Sequence, residues 1–224
     1  MSEVVESIEL LQHLARDRAL RGNTYRKFVL SNLRIDRPNF SGATLEELTL
    51  QEANLDGGDL SRTAIKRVDL RKASLAQLLL IGAEIQDSDF TEVDLRGAQI
   101  ENSEFLRVQT MRLNCEGTSI VRSTFSTCNL QRASFLNAVI LKTTFTDPRP
   151  NQAAELTRAD FQRATLVDCD FRGALLFRAD FRGALVVRCK FNGAGMTGAQ
   201  VEGATFLSCD TQAADLPDGF RQQS

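Results

Sequence analysis

A large apolar residue recurs at every fifth position along most of this chain. One series spans residues 25–145 with 25 such centres, and a second, shifted by one residue, spans 156–216 with 13. Only Thr110 and Thr211 interrupt the apolar pattern. A helix repeats its buried face every 3.6 residues and a strand every two, so a period of five fits neither. Each pentapeptide therefore has to turn a corner before the next begins.

The position two residues before each centre forms a second pattern. In the later series it is always Ala or Cys, from Ala154 to Ala214. Such uniformly small residues indicate a tight, buried slot. The remaining positions carry mainly Asp, Asn, Arg, Thr, Gln and Gly, which are typical of turns and solvent-facing sites. Larger residues in the slots of the earlier series predict that the first coils are distorted or wider; they are Phe28, Leu33, Pro38, Leu48, Leu78 and Leu113.

With these patterns the chain resembles the pentapeptide-repeat family, whose consensus is Ala-(Asp/Asn)-(Leu/Phe)-x-x. The best matches are Ala53-Asn54-Leu55, Ala159-Asp160-Phe161 and Ala179-Asp180-Phe181. The resemblance implies an all-β solenoid, a right-handed quadrilateral parallel β-helix with four pentapeptides in each coil. Residues twenty apart should stack, in about nine to ten coils that form a rod roughly 45 Å long at about 4.8 Å per strand.

The sequence divides into five predicted segments: a capping helix at 1–22, repeats at 23–146, a loop or bulge at 147–153, repeats at 154–216 and a tail at 217–224. The cap is expected because solenoids must cover their terminal coils. Val4, Ile8, Leu11 and Ala15 fall at helical spacing after the potential N-cap Ser2, and Gly22 lies where the helix would end. His13 is interpreted as solvent-exposed, and Phe220 is expected to fold back over the last coil.

The repeat pattern breaks at one internal place. Its residues are Asp147, Pro148, Arg149, Pro150, Asn151 and Gln152. Neither proline can donate a backbone hydrogen bond, so this stretch cannot pair as an interior strand. Either one residue is bulged or six residues project as a loop. Such a segment is either a simple connector or, since loops on rigid scaffolds often carry function, a candidate partner-binding loop.

The sequence offers no recognisable chemistry of catalysis. It has no glycine-rich phosphate loop, zinc-ligand spacing or nucleophile elbow. Cys169, Cys189 and Cys209 are twenty residues apart and fall in the small slot, so we interpret them as a buried ladder of reduced thiols. We therefore predict a protein that is not an enzyme, with no catalytic, cofactor-binding or metal-ligating residues.

Aliphatic residues at outward positions provide the candidate interface. Val167, Val187 and Leu207, twenty residues apart, should form a stripe that Leu185 widens. In the earlier series the outward aliphatics of one face are Leu79, Ile81, Val121, Val139 and Leu141, interrupted by Gln99 and Glu101. Two interpretations stay open. These residues either reflect the preference of aliphatic side chains for strands, or they form an interface with a second copy or with another protein.

Charge gives further expectations about partners. The chain has a net charge of −2, so we do not expect direct nucleic-acid binding. We expect no membrane location, because no N-terminal apolar run is long enough to span one. Residues 36–105 carry 14 acidic and 7 basic groups, whereas residues 106–215 carry 10 acidic and 13 basic groups. The first half should present a moderately acidic surface. No segment resembles a signal peptide or a membrane span, so the expected compartment is the cytoplasm.

Two functions follow as hypotheses. The first is a rigid protein–protein interaction scaffold that binds another protein or forms a homodimer. The second comes from the family resemblance, since some pentapeptide-repeat proteins mimic DNA and bind the type II topoisomerases gyrase and topoisomerase IV. This would protect those enzymes from quinolone-like or natural-product poisons, as antibiotic resistance or self-immunity.

Overall fold

The structure, a computed structural model, describes residues 4–5, 20–146 and 153–223 of the chain. All of its sheet pairings are parallel, which confirms the predicted all-β parallel solenoid, with about 9 turns. Its strands are β1 (Val4–Val5), β2 (Thr24–Arg26), β3 (Thr44–Glu46), β4 (Ala64–Lys66), β5 (Leu79–Ile81), β6 (Glu84–Gln86), β7 (Gln99–Glu101), β8 (Glu104–Leu106), β9 (Ser119–Val121), β10 (Thr124–Ser126), β11 (Val139–Leu141), β12 (Thr165–Val167), β13 (Leu185–Val187), β14 (Thr205–Leu207) and β15 (Gln222–Gln223).

Each coil consists of four pentapeptides, because paired residues are twenty apart, as in Thr44↔Ala64 and Gln99↔Ser119. We number the four faces in chain order from the pentapeptide of Tyr25. Face 1 carries the sheet β1-β2-β3-β4-β6-β8-β10, and face 4 carries the sheet β15-β14-β13-β12-β11-β9-β7-β5. Faces 2 and 3 are joined by isolated parallel bridges such as Thr49↔Asp69 and Asn54↔Ser74, respectively.

The interior of the rod is filled by the apolar centres. On face 1, Phe105, Phe125, Phe145, Phe171 and Phe191 stack with successive ring-centroid distances of 4.5, 5.3, 4.8 and 5.2 Å. On the opposite face 3, Phe135, Phe161 and Phe181 stack at 4.9 and 5.0 Å. The two columns meet edge to face, for example at 5.9 Å between Phe161 and Phe171. This close packing leaves the outer surface as the place where function can lie.

The corners share a backbone conformation that the composition only partly indicates. In the described residues, the residue two positions after nearly every centre adopts a positive φ, for example 67° at Gly173 and 53° at Arg67. Its amide then donates to the neighbouring coil, as Arg67 N–H does to the Gln86 carbonyl at 3.1 Å. Glycine adopts this conformation without strain. Most corners nevertheless carry longer polar residues, many of them arginine, and most of these side chains are exposed.

The large residues in the slots of the earlier series are accommodated without a change of register. Leu78 and Leu113 are completely buried, and the pairings around them remain twenty residues apart. The expected distortion of the first coils is therefore not seen in the strand pairing.

Across the break in the repeat the register changes. Val139 pairs with Thr165, 26 residues later, whereas Val121 pairs with Leu141, 20 residues later. The Ala154 amide donates to the Phe145 carbonyl at 3.1 Å, a bond that joins residues three apart in a regular repeat. These contacts fit an insertion of six residues and do not fit a single bulged residue. Residues 147–152 themselves lie outside the described residues.

The predicted N-terminal helix is wrong for Val4 and Val5, which form β1 and pair with Thr24 and Tyr25 of the first coil. The other predicted cap residues, among them Ser2, Ile8, Leu11, His13 and Ala15, lie outside the described residues, which contain no α-helix. Gly22 does not end a helix. It already occupies a corner of the first coil, with φ 69°, and its amide donates to the Ser41 carbonyl.

The C-terminal end is closed as the sequence predicted. The Phe220 ring packs 4.7 Å from that of Phe206, between ring centroids, and covers the last coil. At the other end, the Tyr25 hydroxyl donates to the Leu20 carbonyl at 3.0 Å, so the phenol is satisfied while buried.

Candidate interaction surface

The outward aliphatic residues gather on face 4. Sequence spacing treated them as two separate stripes, but the 26-residue register at the break brings the stripes into line. The residue after each centre forms one column of directly paired positions: Ile81, Glu101, Val121, Leu141, Val167, Val187 and Leu207. From Val121 to Leu207 the column is entirely aliphatic over five strands, which at about 4.8 Å per strand extends roughly 19 Å.

A second column on face 4 lies before each centre. It mixes three aliphatic with four polar residues: Leu79, Gln99, Ser119, Val139, Thr165, Leu185 and Thr205. Val139 and Leu185 are the most exposed aliphatics of this face, at 42% and 39%. We call the aliphatic residues of both columns the apolar face: Leu79, Ile81, Val121, Val139, Leu141, Val167, Leu185, Val187 and Leu207. All nine predicted interface residues therefore lie on one face of the rod.

A smaller apolar area lies on the opposite side. Leu175 and Phe177 are both 38% exposed and belong to face 2. The Phe177 ring lies over the backbone of Gly195 in the next coil, where an added Cβ would come within 2.8 Å of it. Glycine at this position therefore makes room for the ring. The composition gave no signal for that contact.

Ion pairs run along one corner of the rod from coil to coil. The corner between faces 1 and 2 alternates in sign through Lys27, Glu47, Arg67, Asp87 and Arg107. The ion pairs along it include Arg67–Glu47 at 3.0 Å and Arg107–Asp87 at 2.6 Å. The hydrogen bond from Arg107 lowers the pKa of Asp87. Solvent-exposed pairs of this kind contribute little stability individually, but they neutralise the surface.

Ion pairs also involve more than half of the acidic residues in the first half of the rod. At least eight of the 14 acidic residues in 36–105 lie within ion-pair distance of a cation: Glu46, Glu47, Asp69, Asp87, Asp89, Glu92, Asp94 and Glu101. Asp69 is an example in which hydrogen bonds, first of all from Arg71, lower the pKa to about 2. The predicted acidic surface is thus largely compensated locally.

The cysteine ladder is confirmed. Cys169, Cys189 and Cys209 are free and buried in consecutive coils, and the Cys169 amide donates to the Cys189 sulfur at 3.4 Å. Burial raises the pKa of Cys209 to about 11 and that of Cys115 and Cys128 to about 12. In the described part of the chain, no three His, Cys, Asp or Glu side chains are grouped so as to hold a metal ion. The same residues include no helix of the length and hydrophobicity that crossing a membrane requires.

The candidate loop at 147–152 cannot be placed relative to this surface, because it lies outside the described residues. Its flanking residues are placed. Phe145 ends a strand segment of face 1, and Leu156 lies at the centre of the following face 2 pentapeptide. The described residues on either side of the segment therefore lie at the corner between faces 1 and 2.

Comparison with known proteins agrees with this architecture. The sequence profile of pentapeptide repeats matches residues 30–63, 37–72, 59–97, 69–105 and 154–193, which together make up about half of the chain. The chain belongs to the pentapeptide-repeat family. Comparison with curated protein sequences gives no match.

Solved structures show the same fold. Full-length QnrB1, a plasmid-mediated fluoroquinolone resistance protein, is similar with a TM-score of 0.57 and 20% identity over 88% of this chain and 87% of that chain. HetL, a pentapeptide-repeat protein involved in the regulation of heterocyst differentiation in the cyanobacterium Nostoc sp., aligns with a TM-score of 0.44 and 20% identity over 96% of this chain and 94% of that chain. The likeness to QnrB1, at 20% identity, shows the fold alone.

Proposed function

We propose that this protein is a rigid, non-enzymatic scaffold that binds protein through the apolar face. The observation that carries the proposal is the aliphatic column from Val121 to Leu207, continuous over five neighbouring strands. The corresponding outward positions of face 1 are mostly polar, from Arg26 to Thr146. Since strand propensity acts on all faces alike, it does not account for aliphatics concentrated on one of them.

The apolar face is suited to the centre of a protein–protein interface. A stable interface usually buries about 800 Å² on each partner, with an apolar centre and a polar rim. The apolar face supplies the centre, and the corners that flank it supply charged rim residues such as Lys142, Asp168 and Arg188. A flat parallel sheet suits either a second rod or a partner with an apolar surface of its own. Self-association and a different protein partner are the two forms of this proposal.

Replacing Val167, Val187 and Leu207 together with Asp should abolish binding, because three carboxylates would have to be desolvated at the centre of the interface. The measurements are the mass in solution at high micromolar concentration and the set of proteins recovered on the immobilised rod. A matched control replaces Leu106, Met111 and Leu136, which point outward from the other three faces, with Asp. The proposal fails if the face 4 variant keeps the mass and the bound proteins of the unaltered chain.

Topoisomerase protection is the second candidate function. The excess of acidic residues in 36–105 favours it, and so does the fold shared with QnrB1, a fluoroquinolone resistance protein. The pairing of at least eight of those 14 acids speaks against it, since mimicry of DNA needs uncompensated negative charge. The scaffold proposal therefore ranks first.

A DNA-supercoiling assay with purified gyrase tests whether the protein protects topoisomerases. Protection predicts that micromolar protein restores supercoiling in the presence of a quinolone, or inhibits the enzyme when no drug is present. We expect neither effect, because the locally compensated surface attracts the basic DNA-binding groove only weakly. Restored supercoiling that is lost when Glu84 and Glu104, two exposed acids of face 1, are replaced with Gln would establish protection instead.

A further inference from the structure

One corner of the rod differs from the charge-alternating corner between faces 1 and 2. Between faces 2 and 3, Arg132, Arg158 and Arg178 occupy consecutive coils. The register is fixed by amide donation from Arg132 to the Thr157 carbonyl at 3.0 Å and from Arg158 to the Phe177 carbonyl at 2.9 Å. We call these three residues the arginine ladder. Successive rungs are one strand spacing apart, about 4.8 Å, so the ladder spans roughly 10 Å.

The three guanidinium groups have no carboxylate partner within ion-pair distance in the described part of the chain. Arg112, one coil earlier, does have one, since it pairs with Glu92 at 2.8 Å. The nearest acid in the same pentapeptide as Arg158 is Glu155, whose carboxylate accepts the Thr157 amide hydrogen at 3.0 Å. Stacked like charges oppose folding. The ladder stacks three such charges with no acid between them, so it carries a stability cost that binding of an anion would relieve.

A shallow cavity accompanies the ladder. It has a volume of about 240 Å³ and is lined by Gln131, Thr157, Phe177 and the three arginines. Packing over Gly195 holds the Phe177 ring in place while leaving it 38% exposed. The site thus combines several guanidinium groups, which bind carboxylates in a bidentate manner, with a fixed aromatic surface for an apolar group.

We propose that the arginine ladder binds a short acidic segment of a partner protein in extended conformation, with an apolar side chain of that segment on Phe177. Alternate side chains of an extended peptide are about 6.8 Å apart. Two carboxylates at this separation therefore fit within the roughly 10 Å that the ladder spans. A long nucleic acid fits less well, because the ladder spans only roughly 10 Å and the same corner continues into Arg112, which is paired with Glu92, on one side and into Gly198 on the other.

This inference rests on the proposed scaffold function in one respect: it assumes that the ligand is a protein. The ladder borders face 2, opposite the apolar face, so the two surfaces can be tested separately. The probe is a fluorescein-labelled decapeptide of alternating Glu and Ala with one central Leu, measured by fluorescence anisotropy at 50 mM salt, where screening is weak. A peptide with Gln in place of Glu and a decanucleotide of single-stranded DNA are the comparison ligands.

The full-length chain should bind the Glu peptide at least tenfold more tightly than the Gln peptide and more tightly than the oligonucleotide. Arg132→Gln, Arg158→Gln and Arg178→Gln together should remove this preference, because the peptide loses its charge-assisted hydrogen bonds. The matched control is Arg37→Gln, Arg62→Gln and Arg163→Gln. These arginines hold the same place in their pentapeptides, also with positive φ, on other corners. The control should change affinity less than twofold.

Equal affinity for the two peptides, tighter binding of the oligonucleotide, or equal losses in the ladder variant and the control would overturn the proposal. The apolar-face variant of Val167, Val187 and Leu207 should bind the Glu peptide as the unaltered chain does. If the scaffold test fails while the peptide binds through the ladder, this inference stands and the apolar face loses its role. If the peptide fails and the scaffold test succeeds, only the ladder is rejected.

Discussion

Replacing Phe125 with Ala is expected to lower the free energy of unfolding by about 3–5 kcal/mol. The Phe125 ring is fully buried and stacks on Phe105 at 4.5 Å and on Phe145 at 5.3 Å, between ring centroids. Removing it leaves a cavity between the rings of Phe105 and Phe145. The coils that carry these two rings are held in place by backbone hydrogen bonds. The structure can collapse into that cavity only slightly, so the loss should fall in the upper part of the range.

The measurement is urea denaturation followed by far-ultraviolet circular dichroism. Phe125→Leu is the matched control, because the same column already accommodates Leu45, Ile65 and Ile85 in the earlier coils. Leu should lower the stability much less than Ala, by about 1–1.5 kcal/mol. Equal losses for Leu and Ala, or a loss below about 1 kcal/mol for Ala, would show that the stacked rings are not the core of the rod.

The second large effect concerns the thiols. In the folded protein the five cysteines should react with a disulfide reagent at pH 8 at least about 10³-fold more slowly than in denaturant, because attack requires local or global opening. All five are buried, and burial raises the pKa of Cys115 and Cys128 to about 12, so the reactive thiolate is scarce. Cys209, in the last coil and with its pKa raised to about 11, should react first.

The reaction is followed by absorbance with and without 6 M guanidinium chloride. A chain with Arg163→Cys supplies the positive control, since this corner residue is exposed and its thiol should react within the mixing time. Rapid reaction of Cys169 or Cys189 in the folded state would contradict the interpretation of the cysteine ladder as an inert part of the core.

The fold was predictable because its signal is repeated. The period of five places Leu70 or Phe90 inside without any knowledge of their neighbours, and the twenty-residue coil came from the family resemblance. The helix predicted at Val4 and Val5 was wrong. These valines belong to an apolar pattern with helical spacing, but in the structure they form an edge strand that pairs in parallel with the first coil. Pairing with Thr24 and Tyr25 satisfies the exposed edge of the first coil, which local spacing does not reveal.

The candidate surfaces were only partly predictable. Each half of the apolar face could be found by counting in steps of twenty, but their union depends on the 26-residue register between Leu141 and Val167. The arginine ladder could not be predicted from the sequence for the same reason, since Arg132 and Arg158 are neighbours only across the insertion. The interruption of the repeat is visible in the sequence. Which residues stack on each other across it depends on how the coil continues, and the sequence does not show that.

The most direct test of the scaffold proposal is photo-crosslinking from the apolar face. A photoreactive phenylalanine analogue replaces Val187, and in a matched protein it replaces Leu136, which points outward from face 3. Irradiation in the cells that produce the protein, followed by mass determination, reports what lies against each position. We predict one discrete cross-linked product, a second copy or a single partner, from Val187 and none from Leu136. No product from Val187, or the same products from both positions, would contradict the account.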